Sequence, residues 1–367
     1  MFYPECWLIL PPVGIRSVPC HNPFMPVTNT PDWPQSRPGS PLISILIAAR
    51  NEEHAILTCL EAVNRLNYPT DQLEVLIGND QSTDQTATLV AGFIQDKPAF
   101  QLMDIRESVS GLRGKANVLA QLANQARGQL FFFTDADTQV PPDWLIAMGH
   151  SFQKRTGIVT GVTLPEGPNL FHKLQTVDWL YNLTLTHLVS SMGLPVTAMG
   201  NNMAVSREGY HAVGGYESLP FSVVEDYALF RAVVAKGYGF ANLLNADVLA
   251  RTRAVDTLDG FLHQRKRWMR GASQLPIWMV GSLYVQYLAA PLFLLLGLFS
   301  PTLAIGLYIA RLFVQTTIIS FGLSRLRQSD LWPYALLFEV YQLVIGPLAV
   351  LFYLMPTKIE WKGRTYN

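Results

Sequence analysis

The residues best suited to chemistry are two carboxylates one position apart, Asp135 and Asp137, which end the run Leu130-Phe131-Phe132-Phe133-Thr134-Asp135-Ala136-Asp137. An apolar run that stops abruptly at acids reads as a buried strand delivering them to the edge of a sheet. In open α/β sheets, ligands bind just beyond the carboxyl ends of the strands. Two carboxylates in one turn can share a hard divalent cation, which can in turn hold phosphate oxygens. A solvated turn after a core strand is the plainer alternative.

Four further groups are candidates for the same site. Asp80 ends a second apolar run, on the same sheet edge as the Asp135/Asp137 pair. Lys115 follows the glycine-flanked loop Gly111–Gly114 at the start of a helix, where anions are favoured. Glu225 and Asp226 follow a short apolar run in the second half. Gln264-Arg265-Lys266-Arg267-Trp268 stands just before the apolar C-terminal third. Singly, these read as a helix cap, a solvated lysine, an acidic helix start and a basic flank to a membrane helix. The basic flank accounts for the charges but not for Gln264 and Trp268.

The elements that must position these groups alternate as in parallel α/β domains. Strands are expected at Leu42–Ala49, Leu73–Gly78, Phe100–Ile105 and from Leu130. Helices are expected at Glu52–Leu66, from Ser82-Thr83-Asp84 to about Gln95, from Lys115 to about Arg127, and from Pro142. Four strand-helix units in a row make a parallel sheet the default. The second half is less regular. It offers strands at Ile158–Val162 and at Val196–Val205, the latter broken at Gly200, with helices at Leu170–Ser191, Val223–Lys236 and Asp259–Gly271. Three apolar segments follow, roughly Pro276–Phe299, Thr302–Leu323 and Leu331–Met355, each reaching the ~20 residues needed to cross a bilayer.

The totals agree with this division. The 367 residues allow about two domains. Lys+Arg and Asp+Glu are both 27, so no electrostatic case exists for a nucleic-acid partner. The apolar fraction is 49% against 15% charged, with the excess collected after Leu275, which points to a bilayer. Cys6, Cys20 and Cys59 are few and unpatterned, which fits a reducing compartment without a disulfide framework or zinc site. Trp7–Val13 is too short and proline-interrupted for a secretory signal. The expected organisation is an irregular proline-rich segment over 1–41, a catalytic α/β domain over 42–272 and a membrane domain over 273–367.

The set of motifs resembles the family 2 glycosyltransferases, in particular the membrane-embedded branch with cellulose, hyaluronan and poly-N-acetylglucosamine synthases and ceramide glucosyltransferase. The resemblance runs from Ile43-Ser44-Ile45-Leu46-Ile47-Ala48-Ala49-Arg50-Asn51-Glu52-Glu53 through Asn79-Asp80-Gln81-Ser82-Thr83-Asp84, Gly114-Lys115-Ala116-Asn117 and Asp135-Ala136-Asp137. It continues through Gly200-Asn201-Asn202, Gly214-Gly215-Tyr216 and Glu225-Asp226 to Gln264-x-x-Arg267-Trp268, about two thirds of the chain. The last two motifs are the most specific. Asn79 and Gln81 depart from the usual acid and glycine around Asp80.

The resemblance implies a GT-A fold, a nucleotide-diphospho-sugar donor, usually UDP-linked, and Mg²⁺ or Mn²⁺. Carried over by position, Ala48, Arg50 and Asp80 line the nucleoside pocket and Lys115 approaches the pyrophosphate. Asp135 and Asp137 contact donor and metal, with Asp137 the direct ligand. Asp226, beside Glu225, is the general base, and Gln264, Arg267 and Trp268 close the site over the diphosphate and the acceptor end. The chemistry agrees: displacing a nucleoside diphosphate needs positive charge on the leaving oxygens and a base at the acceptor hydroxyl. One carboxylate acting in one in-line step inverts the anomeric centre, giving a β-linkage from an α-linked donor. The acceptor is a lipid or a glycan. The same features allow a non-catalytic nucleotide-sugar or glycan-binding partner subunit of a synthase.

The implied location is a membrane of bacterial inner-membrane type, crossed several times, with the catalytic domain cytoplasmic. Three crossings would then put Lys358, Lys362 and Arg364 outside while Arg325 and Arg327 stay inside, against the positive-inside rule. One segment is therefore expected not to cross. The first is the best candidate, because Pro276, Gln286 and Pro291 interrupt it and a basic helix leads into it.

Overall fold

The computed structural model describes residues 42–367 apart from 154, 221, 223, 273, 274, 276, 357, 358, 362, 363 and 367. The proline-rich segment with Cys6 and Cys20, and also Val223, Pro276, Lys358 and Lys362, lie outside the described residues.

The first half alternates strand and helix: β1 (Ile43–Ala49), α1 (Ile56–Asn64), β2 (Leu73–Asn79), α2 (Thr86–Phe93), β3 (Phe100–Asp104), α3 (Gly114–Gln125), β4 (Leu130–Asp135) and α4 (Trp144–Gly149). Then come β5 (Thr156–Thr160), β6 (Val162–Glu166), α5 (Leu170–Ser191), β7 (Asn202–Ser206), α6 (Arg207–Ala212), α7 (Glu225–Ala235), β8 (Gly239–Asn242), β9 (Leu249–Arg253) and α8 (Leu258–Ala272). Four apolar helices follow: α9 (Ile277–Tyr287), α10 (Ala289–Phe299), α11 (Pro301–Leu326) and α12 (Trp332–Leu354). A hairpin of β10 (Ile359–Trp361) and β11 (Arg364–Tyr366) ends the chain.

The main sheet has the order β3-β2-β1-β4-β7-β5-β8. Its first four strands are parallel, as the repeated strand-helix units require, and β7 runs antiparallel to both β4 and β5. The sheet is therefore mixed. A smaller parallel sheet pairs β6 with β9.

The alternation of side chains along β4 fills both faces. Phe132 meets Trp144 edge-on at 5.0 Å on one side, in the core shared with α1 and α4. Phe131 and Phe133 point the other way, to Tyr210 at 5.5 Å and Tyr216 at 6.3 Å, in the core shared with α3 and α7. All three phenylalanines are fully buried, each contributing about 1.5–3 kcal/mol. That anchorage fixes where the strand ends and so where its acids emerge. A third apolar core joins α5 and α8 to α11 and α12.

Two strand expectations need correction. Ile158–Val162 is split at Gly161 between β5 and β6, which belong to different sheets. Val196–Val205 is not one broken strand: β7 starts only at Asn202, because the Gly200 amide leaves the ladder to bind a carboxylate. Asp84 supplies the expected capping acceptor, taking the amide of Thr86 at 3.0 Å. Asp84 also takes the Glu53 amide at 3.1 Å, which ties the loop after β2 to the loop after β1.

The segments Pro301–Leu326 and Ser329–Leu354 are each long and apolar enough to cross a bilayer. The first apolar segment is bent by 74° between α9 and α10. The bend lies just past Gln286, and Pro291 falls in the first turn of α10, where its missing N–H costs nothing.

Candidate active site

The parallel register brings the sequence candidates to one edge. Ala48 pairs with Gly78 on one side and with Asp135 on the other, and Ala49 pairs with Asn79. Asp80 follows directly, its amide donating to the Ala49 carbonyl at 2.9 Å. The Arg50 guanidinium donates to the Asp80 carbonyl at 2.6 Å. The loops that carry these residues interlock: the Asn51 side chain accepts from the Thr83 amide at 2.9 Å, and Glu53 accepts from the Gln85 amide at 3.0 Å. Ala48, Arg50 and Asp80 thus form one floor at the ends of β1 and β2.

Lys115 stands at the first turn of α3 and joins the two acidic groups. Its ammonium lies 2.5 Å from Asp135 and 3.3 Å from Glu225. Burial pulls this lysine down, but the charges of Asp135 and Glu225 outweigh it and hold the ammonium above the usual lysine range. A cation so placed keeps its charge at any physiological pH.

Asp137 lies in the turn after β4, half-buried. Burial, then the like charge of Asp135, pushes it up to about 6 despite Lys115. Two oxygen-donor side chains with this mutual repulsion suit a hard divalent cation, which relieves it. Among the described residues no three His, Cys, Asp or Glu side chains converge as a metal site. The remaining ligands would be donor oxygens and water, the usual arrangement for Mg²⁺. Asp135 and Asp137 fit that role.

Asp226 is fixed by its backbone neighbours. At the start of α7 its carboxylate accepts from the Gly200 amide and from the Tyr227 amide, both at 2.7 Å. Burial, then the charge of Glu225, raises it to about 6, against the pull of Lys115 and the two amides. The result is a carboxylate that is ionised at neutral pH yet basic enough to take a proton.

Sequence reading missed the part played by Gly200. A Cβ there would come within 2.8 Å of the Asp226 Cβ, so only glycine allows the amide this approach. Asn202 was legible as a motif but not in role: its side chain accepts from the Trp144 indole at 2.8 Å and donates to Val162 and Val248 carbonyls at 2.9 Å each. It stitches the two sheets together. Cys59, which nothing in the sequence singles out, donates its thiol to the Asp135 carbonyl at 3.4 Å.

Gln264, Arg267 and Trp268 are carried on α8. The Trp268 ring packs against Trp179 of α5 at 4.8 Å, and the Arg265 guanidinium lies over it at 4.6 Å. Arg265 is itself ion-paired with the buried Asp178. The far end of α8 reaches the acid helix: Gly271 abuts Val224, next to Glu225.

The model of glycosyl transferase family 21 matches residues 14–367. Among curated relatives, the β-monoglucosyldiacylglycerol synthase of Nostoc sp. is 27% identical over 237 residues, 64% of this chain and 49% of its own length. The poly-β-1,6-N-acetyl-D-glucosamine synthase of Staphylococcus epidermidis is 25% identical over 242 residues, 64% of this chain and 55% of its own. The chain thus spans about half the length of the curated relatives it matches. In fold it is similar to a mannosyltransferase of Pyrobaculum calidifontis solved with GDP-Man and Mn²⁺, at 20% identity, a TM-score of 0.54, and 86% and 87% coverage of the two chains.

Proposed function

The chain belongs to glycosyl transferase family 21, and from that premise we propose that it is a membrane-bound, inverting transferase. It moves a sugar from a UDP-linked nucleotide-diphospho-sugar to a lipid or glycan acceptor. The catalytic domain is cytoplasmic and the apolar C-terminal helices hold it at the bilayer.

In this reading Ala48, Arg50 and Asp80 hold the nucleoside, and Lys115 faces the diphosphate from the first turn of α3. Mg²⁺ or Mn²⁺, when bound by Asp137 and Asp135, supplies positive charge to the leaving diphosphate. Asp226 takes the proton from the acceptor hydroxyl as that oxygen bonds to the anomeric carbon. The bond from that carbon to the diphosphate breaks with its electron pair going to the leaving oxygen. Glu225 keeps Asp226 basic and binds Lys115, and Gln264, Arg267 and Trp268 cover the site from α8.

The observation that carries the reading is the Lys115 bridge, which links the acid ending β4 to the acid pair opening α7, 90 positions later in the chain. That link supports taking the donor-side charge and the base as parts of one site. The test is release of UDP from purified protein offered a panel of UDP-sugars with Mg²⁺ or Mn²⁺ and native lipids. Metal-dependent release with one donor, lost in Asp226→Asn, supports the transferase. UDP binding without release by any donor favours a non-catalytic partner subunit instead.

A further inference from the structure

The helices α5 and α8 meet through two adjacent contacts. Asp178 and Trp179 are consecutive on α5, and Arg265 and Trp268 stand about one turn apart on α8. The Arg265 guanidinium donates to the Asp178 carboxylate in a buried ion pair, and the Trp179 ring meets Trp268 at 4.8 Å. Arg265 is 5% exposed and Asp178 8%. The second Asp178 oxygen accepts from the Asn182 side-chain amide at 2.9 Å, so the carboxylate is also held from its own helix. The guanidinium lies over two rings of α8, 4.7 Å from Phe261 and 4.6 Å from Trp268.

A buried ion pair gains little net stability, because desolvating the two charges offsets their attraction. What this pair supplies is direction. A planar guanidinium held at one edge by a carboxylate keeps a fixed orientation over the ring beneath it, which a compact ammonium would not. Asp178 sets the plane of Arg265, and Arg265 sets the indole of Trp268.

That indole is not enclosed in core. Arg265, Trp268, Met269 and Ala272 form one wall of a cavity, and Val280 and Tyr284 of α9 face them. The wall ends toward the acids: Ala272 follows Gly271, which abuts Val224, the residue before Glu225 and Asp226. Resting on the transferase reading, we infer that Asp178 is a positioning residue for acceptor use. Through Arg265 it holds Trp268 in the orientation that seats the acceptor hydroxyl before Asp226, and it touches neither donor nor acceptor itself.

The test is UDP release by the full chain in detergent, with the donor sugar that the wild type accepts at saturation. An extract of the native membrane, lipids and glycans together, is titrated as the source of acceptor. Asp178→Asn should raise the extract concentration for half-maximal release by about tenfold or more, with donor KM and UDP binding changed less than about twofold. Asn leaves the buried guanidinium without its counter-charge. Arg265→Lys, which keeps both charges and loses the planar fork, is therefore measured beside it and should show the same split. In a Trp268→Ala background the effect of Asp178→Asn should shrink below about twofold, because both changes act on one contact. The same factor in both backgrounds is what a purely structural role predicts, and it would overturn the proposal. So would folded Asp178→Asn and Arg265→Lys proteins that use the extract as the wild type does. Wild-type protein that releases no UDP with any donor would instead sink the transferase reading on which the proposal rests.

Discussion

The Gly200 amide donates to the Asp226 carboxylate at 2.7 Å, across 26 residues of chain. The contact aims the carboxylate and stabilises its ionised form. It also explains why β7 begins only at Asn202, after the break at Gly200. Gly200→Ala places a methyl group 2.8 Å from the Asp226 Cβ, so the carboxylate must move. Turnover should fall about 100-fold, the cost of a misplacement near 1 Å, with KM for the donor little changed. Steady-state UDP release by the variant measures both.

The pH dependence follows from Asp226, raised to about 6. A base must be deprotonated to act, so kcat/KM should fall about tenfold per pH unit below about 6. The sign for stability is opposite. A carboxyl whose folded pKa exceeds its unfolded value binds more protons when folded, so its contribution to stability grows as pH drops through about 6. Activity lost between pH 6 and 5 should therefore return on neutralisation. Thermal unfolding followed over the same range separates the two effects.

Metal removal should abolish UDP release, and Mg²⁺ or Mn²⁺ should restore it. Asp137→Ala should raise the metal concentration needed by tenfold or more, while UDP binding persists. Titration of each metal against activity, with UDP binding measured separately, checks both parts.

Asn202 tests the scaffold rather than the chemistry. It is fully buried and makes three hydrogen bonds. Asn202→Ala leaves two carbonyls and the Trp144 indole unpaired, at about 1–3 kcal/mol each before relaxation. A net loss of about 3 kcal/mol is expected, seen as a lower denaturation midpoint. The fraction that stays folded should keep its donor KM.

Much of the site was legible where it is local or set by strand register. The triple phenylalanine before Asp135 gave both the strand and the edge, because side chains alternate and the run ends in charge. The bounds of α5, Leu170–Ser191, are those its periodicity gives. What escaped the sequence is contact between distant residues. Nothing near Gly200 says that Asp226 will claim its amide, and nothing near Lys115 says that Glu225 will share its charge. Nothing near the end of α12 says that Lys266 of α8 will donate to the Met355 carbonyl. Trp268 was legible as a motif, but its packing on Trp179 depends on how α5 and α8 meet.

The central claim is that Asp226 is the base of a metal-assisted sugar transfer. Its most direct test is UDP release by the wild-type chain and by Asp226→Asn, side by side, with the donor sugar that the wild type accepts. Wild-type release that needs Mg²⁺ or Mn²⁺, reduced by at least about 100-fold in Asp226→Asn while UDP still binds, is the expected result. Undiminished release by a folded Asp226→Asn protein would contradict it.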